Sequence, residues 1–167
     1  MSQYLLEAEA ALALVDARAY NPFVAENWTA DQLLAHFRQQ AQDRRLLMWG
    51  TGGPGKWRVE VAMRWSDEKG FREVQGSIAA TTNRLLFADY VMLSRAAEFP
   101  NNRLADEEPG DLTVALRPGL YQCRIVQLFD PAGDTSVVER AGTHFLVELE
   151  STTTALAPWA AVPWLES

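Results

Sequence analysis

Lysine is nearly absent from this chain. Lys56 and Lys69 are the two it has, and with arginine the basic residues number 15 against 22 acidic ones, for a net charge of -7. A protein that grips phosphate backbones draws its affinity from clustered Lys and Arg that release counterions, so no nucleic-acid partner is expected. Cysteine and histidine are equally scarce. Cys123 alone permits no intrachain disulfide, and with His36 and His144 it leaves too few ligands for a structural zinc site. No run approaches the roughly 18 uninterrupted apolar residues of a membrane span. The apolar stretch Ala8 to Val15 follows Glu7 instead of the basic residues that open an export signal, so a cytoplasmic protein without a membrane partner is expected.

What is present suits an ordinary globular chain: 167 residues, 48% of them hydrophobic, with six tryptophans. A chain of this size buries roughly 70% of its unfolded surface. Neither a repeat nor a linker divides it, which predicts one domain over 1–167 with a helical segment (1–45), an antiparallel β core (46–150) and an extended arm (151–167). The expected class is α+β, two N-terminal helices followed by a mainly antiparallel β-sandwich or meander.

Residues 3–19, rich in Ala and Leu, allow a helix with Tyr4, Leu5, Leu12 and Val15 on one broad face, ended by Asn21 and Pro22. A second helix over 29–45 is marked by Thr29 and Gln32, the spacing of a capping box. The period then becomes alternating: Trp57, Val59, Val61, Met63 and Trp65 share one face of a strand, with Arg58, Glu60, Ala62 and Arg64 on the other. Leu46 to Trp49 is its expected hairpin partner through the glycine-rich turn 50–55. Further strands are expected at 73–80, 84–90, 111–116, 120–129 and 144–150, with a short helical turn at 94–98 and a loop at 100–110.

Gly50 to Lys56 spells the start of a phosphate-binding loop, but Trp57 replaces the metal-binding hydroxyl and a strand follows where a helix is needed. Cys123, between Tyr121 and Ile125 on an inward face, reads as an inert core thiol. His144 with Asp130 or Asp134 is the pair that would serve a hydrolase, and His36 has less to recommend it. Arg58 and Arg64 fit either an anion or cross-strand acidic neighbours. The acidic loop Asp106-Glu107-Glu108-Pro109-Gly110-Asp111 supplies oxygen ligands without a fixed calcium-binding spacing. No cofactor is expected. Trp159 and Trp164 lie in an arm that two prolines keep from helix, and such a segment must cover its own domain, a second copy or a partner. Candidate partner-binding residues are therefore Asp106, Glu107, Glu108, Asp111, Trp159 and Trp164.

The segment Leu116-Arg-Pro-Gly-Leu-Tyr-Gln-Cys-Arg-Ile-Val126, followed by His144-Phe-Leu-Val-Glu-Leu149, resembles the late strands of small bacterial β-sandwich proteins of the competence nuclease-inhibitor (ComJ-like) family and of some toxin-immunity proteins. The resemblance covers about half of the chain and brings no site residues with it. It implies a non-catalytic protein that occludes a partner enzyme. The expected function is accordingly a protein-binding module, an inhibitor or immunity protein, with homodimerisation open. The alternatives are a β-sandwich that binds a small ligand or carbohydrate and a hydrolase using His144.

Overall fold

The computed structural model describes residues 2–100, 104, 112–132 and 142–165. Two strands open the chain, β1 (Ser2–Ala8) and β2 (Ala11–Val15), followed by α1 (Ala30–Gln42), β3 (Leu46–Gly50), β4 (Gly55–Ala62), β5 (Arg72–Ala80), β6 (Arg84–Asp89), α2 (Tyr90–Ala96), β7 (Thr113–Ala115), β8 (Gly119–Gln127) and β9 (Phe145–Ser151). They form a five-stranded sheet of order β1-β4-β9-β8-β5 and a four-stranded sheet of order β3-β2-β6-β7. Every pairing is antiparallel except β4 with β9, which is parallel.

The expected helix over 3–19 is instead these two strands. In β1, Leu6 and Ala8 turn inward while Leu5 stays 60% exposed, so the face proposed for a helix mixes residues that go to opposite sides. β2 is buried throughout: Leu12 and Leu14 enter the core between the sheets, whereas Ala11, Ala13 and Val15 enter a second core beneath the helices. A strand covered on both faces shows no alternation, and its Ala/Leu content suggests helix until tertiary packing overrides propensity. The layers are therefore five-stranded sheet, four-stranded sheet, helices.

α1 starts where its capping box places it. Thr29 Oγ1 accepts from the Gln32 amide at 3.2 Å, and Gln32 Oε1 accepts from the Thr29 amide at 2.9 Å. Leu33 and Phe37 anchor it to the sheet below. α2 begins earlier than the predicted turn because Asp89 caps it, accepting from the Met92 amide at 2.7 Å.

β3 and β4 are not a hairpin. They belong to different sheets, and the turn between them carries the chain from one layer to the other. Gly52, at φ +90°, takes a backbone conformation that side chains rarely adopt. β4 also ends at Ala62, leaving Met63 49% exposed and Trp65 outside the strand. The chain then crosses the outer face of the five-stranded sheet. Among the described residues, no helix is long and apolar enough to cross a membrane.

Candidate functional site

The C-terminal arm forms one wall of a groove on the surface of the molecule. β5 and β3 are the outermost strands of their sheets, and they meet along one side of the sandwich, where the Ala79 amide donates to Arg44 O at 2.8 Å. The arm runs across this seam. Its Leu156 amide donates to Ser77 Oγ at 2.7 Å, Trp159 Nε1 donates to Gln75 O at 2.7 Å, and Pro163 O accepts from the Gly50 amide at 2.8 Å. Glycines at 50 and 76 let it lie flat. A Cβ at 76 would come within 2.8 Å of the Trp159 ring and 2.9 Å of Leu47, and one at 50 would collide with the Trp164 carbonyl.

Trp164 is held on its own domain beneath the Arg72 guanidinium, which sits 4.6 Å from the ring centroid in a cation-π contact. The residue adopts φ +64°, a left-handed conformation uncommon for a non-glycine. Both arm tryptophans pack partly buried against the inter-sheet core.

Between the arm and the helices lies a groove of about 560 Å³. α1 contributes Ala30, Asp31, Leu34 and Arg38; the arm contributes Ala161, Val162 and Leu165; Ala10 and Tyr90 complete the lining. Among these residues only Asp31, Arg38 and Tyr90 carry polar side-chain groups.

The other sequence candidates fall elsewhere. Asp106, Glu107, Glu108, Asp111 and Asp134 lie outside the described residues. His144 is 5% exposed, and its Nδ1 accepts from the Arg58 amide at 2.8 Å while its own amide donates to Arg58 O at 2.9 Å. The proton of the neutral ring therefore belongs on Nε2, and the side chain fixes β9 beside β4. Asp130 accepts from the Ala132 amide at 2.9 Å within its own turn. Among the described residues no hydrogen bond or ion pair joins Asp130 to His144. His36 Nε2 donates to Asn21 O at 2.6 Å, and burial lowers the pKa of its ring below the ordinary histidine value. Arg58 and Arg64 do not share a strand face, because β4 has ended before Arg64. The Gly50–Lys56 loop leads into β4 and has no helix behind it. Among the described residues, no three His, Cys, Asp or Glu side chains gather as a metal would require.

Cys123 is fully buried, and burial together with the nearby Glu148 charge pushes its thiol well above the usual range. We expect iodoacetamide at pH 8 to label the native protein at least about a hundredfold more slowly than the urea-unfolded chain, since thiolate is the reactive form. Equal labelling rates would show that the core opens at this point.

Two polar clusters escaped the sequence reading. Asp16, 1% exposed, receives the Thr81 amide at 2.8 Å, the Thr81 hydroxyl at 2.7 Å and the amides of Arg18 and Ala19 at 3.2 and 3.3 Å. On the outer face of the five-stranded sheet, Arg124 (5% exposed) bonds Glu148 (3%) at 2.6 Å and Glu73 at 2.8 Å, and donates to Glu68 O. Glu148 also accepts from the Ser66 amide at 3.2 Å, and Glu150 from the Trp65 amide at 3.3 Å. These contacts fasten the crossing segment to the sheet. The signal for the second was a charged residue flanked by apolar ones on either side, Arg124 between Cys123 and Ile125 and Glu148 between Val147 and Leu149.

Two solved structures share the architecture. "Crocagin biosynthetic gene J" superposes with a TM-score of 0.60 at 13% identity, over 90% of this chain and 96% of that one. ComJ from Bacillus subtilis, described as an inhibitor of the DNA degrading activity of NucA, superposes with a TM-score of 0.52 at 10% identity, over 91% and 96%. The resemblance read from β8 and β9 thus holds for the fold and extends over nearly the whole chain instead of about half of it. No family model matches the sequence, and neither does any curated protein.

Proposed function

We propose that this chain is a non-catalytic protein-binding module, an inhibitor or immunity protein that occludes a partner enzyme. The observation that carries the reading is the likeness to ComJ, an inhibitor of a nuclease, over 91% of the chain. The state of the reactive groups supports it: His144 is enclosed and bonded to backbone, Cys123 is sealed in the core, and the Arg124 guanidinium is committed to two carboxylates. The net charge of -7 favours encounter with a basic enzyme. The acidic residues Asp106, Glu107, Glu108 and Asp111, with the arm carrying Trp159 and Trp164, are the contact surface we assign to that partner.

The test is capture with the tagged chain from its own cells, light scattering on the eluate, and an activity titration of the captured enzyme. We expect an equimolar complex whose enzymatic activity falls in proportion to added chain. Neutralising Asp106, Glu107 and Glu108 together should weaken association about tenfold at low salt, acting mainly on the association rate. An enzyme that stays fully active at saturation, a self-oligomer without a companion, or substrate turnover by the chain itself would each overturn the reading.

A further inference from the structure

We infer that the groove between α1 and the arm receives a short extended segment of the partner protein, apolar in the middle and flanked by one basic and one acidic residue about three positions apart. The inference rests on the protein-binding reading and names where that partner docks. Asp31 and Arg38 are one heptad apart on α1, so they stand on nearly the same face, about 10 Å apart along the axis. Leu34 lies between them, and Val162 and Leu165 line the same groove from the arm. Both charged residues are exposed, and neither forms an ion pair or hydrogen bond among the described residues.

Charge and length together select the occupant. A strongly anionic or cationic segment would meet a like charge at one end of the groove, whereas a segment with opposite charges at its ends meets a complement at both. An extended chain advances about 3.3–3.6 Å per residue, so about three residues span the interval between Asp31 and Arg38. The groove volume of about 560 Å³ accommodates the side chains of such a stretch. The two middle side chains of such an extended segment point to opposite walls, one toward Leu34 and one toward Val162, and the end charges, also on opposite sides, reach Asp31 and Arg38 over the rim through their flexible stems and the long Arg38 side chain.

The experiment is an amide NMR titration of the full chain with acetyl-Lys-Leu-Leu-Glu-amide, compared with acetyl-Lys-Leu-Leu-Lys-amide and acetyl-Glu-Leu-Leu-Glu-amide. We expect shifts confined to residues 30–38 and 161–165, with a Kd on the order of 1 mM. The mixed-charge peptide should bind about three- to fivefold more tightly at low salt than either like-charged one, the worth of an exposed ion pair. Arg38→Glu should transfer the preference to the dibasic peptide. Val162→Thr, which keeps the side-chain volume, should weaken the shifts severalfold, and because Val162 also packs against the core beneath the helices, the melting temperature of the variant is measured alongside to separate lost binding from lost fold. The inference falls if about 5 mM peptide shifts nothing in the groove, or if Arg38→Glu leaves the ranking as it was. It also falls if self-association of the chain protects the same resonances, which would make a second copy the occupant. An inhibited enzyme in the capture experiment without peptide binding here would remove the groove alone. Peptide binding beside an uninhibited enzyme would remove the inhibitor reading alone.

Discussion

Replacing Arg124 by Met is expected to destabilise the fold by about 3–5 kcal/mol, because it strands Glu148 as an unpaired charge in a buried setting. At 3% exposure Glu148 has almost no water to turn to, and the crossing segment loses the bond from Arg124 to Glu68 O. The double variant Arg124→Met with Glu148→Leu should recover most of that loss, since apolar replacement of a buried pair is often neutral or stabilising. Urea unfolding of the single and double variants measures both. A single variant within about 1 kcal/mol of the parent would mean that the pair is effectively hydrated.

A pH dependence accompanies it. The hydrogen bond from Arg124, with the guanidinium charge, holds the Glu73 carboxyl below the usual carboxylate range. A carboxylate with a depressed folded-state pKa adds stability that is present above its unfolded value near 4.5 and is lost as pH falls through the folded value. Acidification below about pH 4.5 should therefore destabilise the parent more than the Arg124→Met variant. Because Glu73 is 42% exposed, this part is modest and fades with salt.

Asp16→Ala is the second large effect, with an expected loss of about 3–4 kcal/mol. Its two oxygens serve three backbone amides and a hydroxyl, joining the end of β2 to the turn between β5 and β6. A hydrogen bond to a charged group contributes about 1.5–3 kcal/mol, and removing the acceptor leaves enclosed donors unsatisfied. Asp16→Asn, which keeps one acceptor oxygen, should lose roughly half as much. Thermal unfolding of the pair decides the point: equal losses would show that the carboxylate charge, and not the count of acceptors, matters at this turn.

The elements legible in the sequence are those whose pattern is local. Thr29 and Gln32 announce α1 in four residues, and the alternation Trp57, Val59, Val61 belongs to a strand with one covered face. Tyr121, Cys123 and Ile125 read correctly as the inner face of β8 because the polar Gln122 and Arg124 alternate with them. β1 and β2 were illegible for the opposite reason: burial on both sides of β2 erases alternation, and only the assembled layers distinguish Leu12 from Ala13. The hairpin expected through Gly50 failed because a glycine-rich turn determines a change of direction and not the sheet that receives the next strand. Of the candidate surface, the arm was visible in its prolines and tryptophans. The groove was not, since it needs Leu34 and Val162, 128 positions apart, to be brought to the same cleft.

The parallel ladder between β4 and β9 has a consequence for the nascent chain. In the five-stranded sheet, β1 and β4 form one block and β5 and β8 another, and β9 alone bridges them. A ribosome that has released every residue before Phe145 has delivered two half-sheets that cannot yet join, each with an apolar flank waiting for a strand. Closure of this sheet therefore waits until β9 has been made, and the non-local pairing it requires is intrinsically slow. Translation that stalls just short of β9 leaves two open edges that other chains can fill, so a complete β9 is as much a safeguard against aggregation as a part of the architecture.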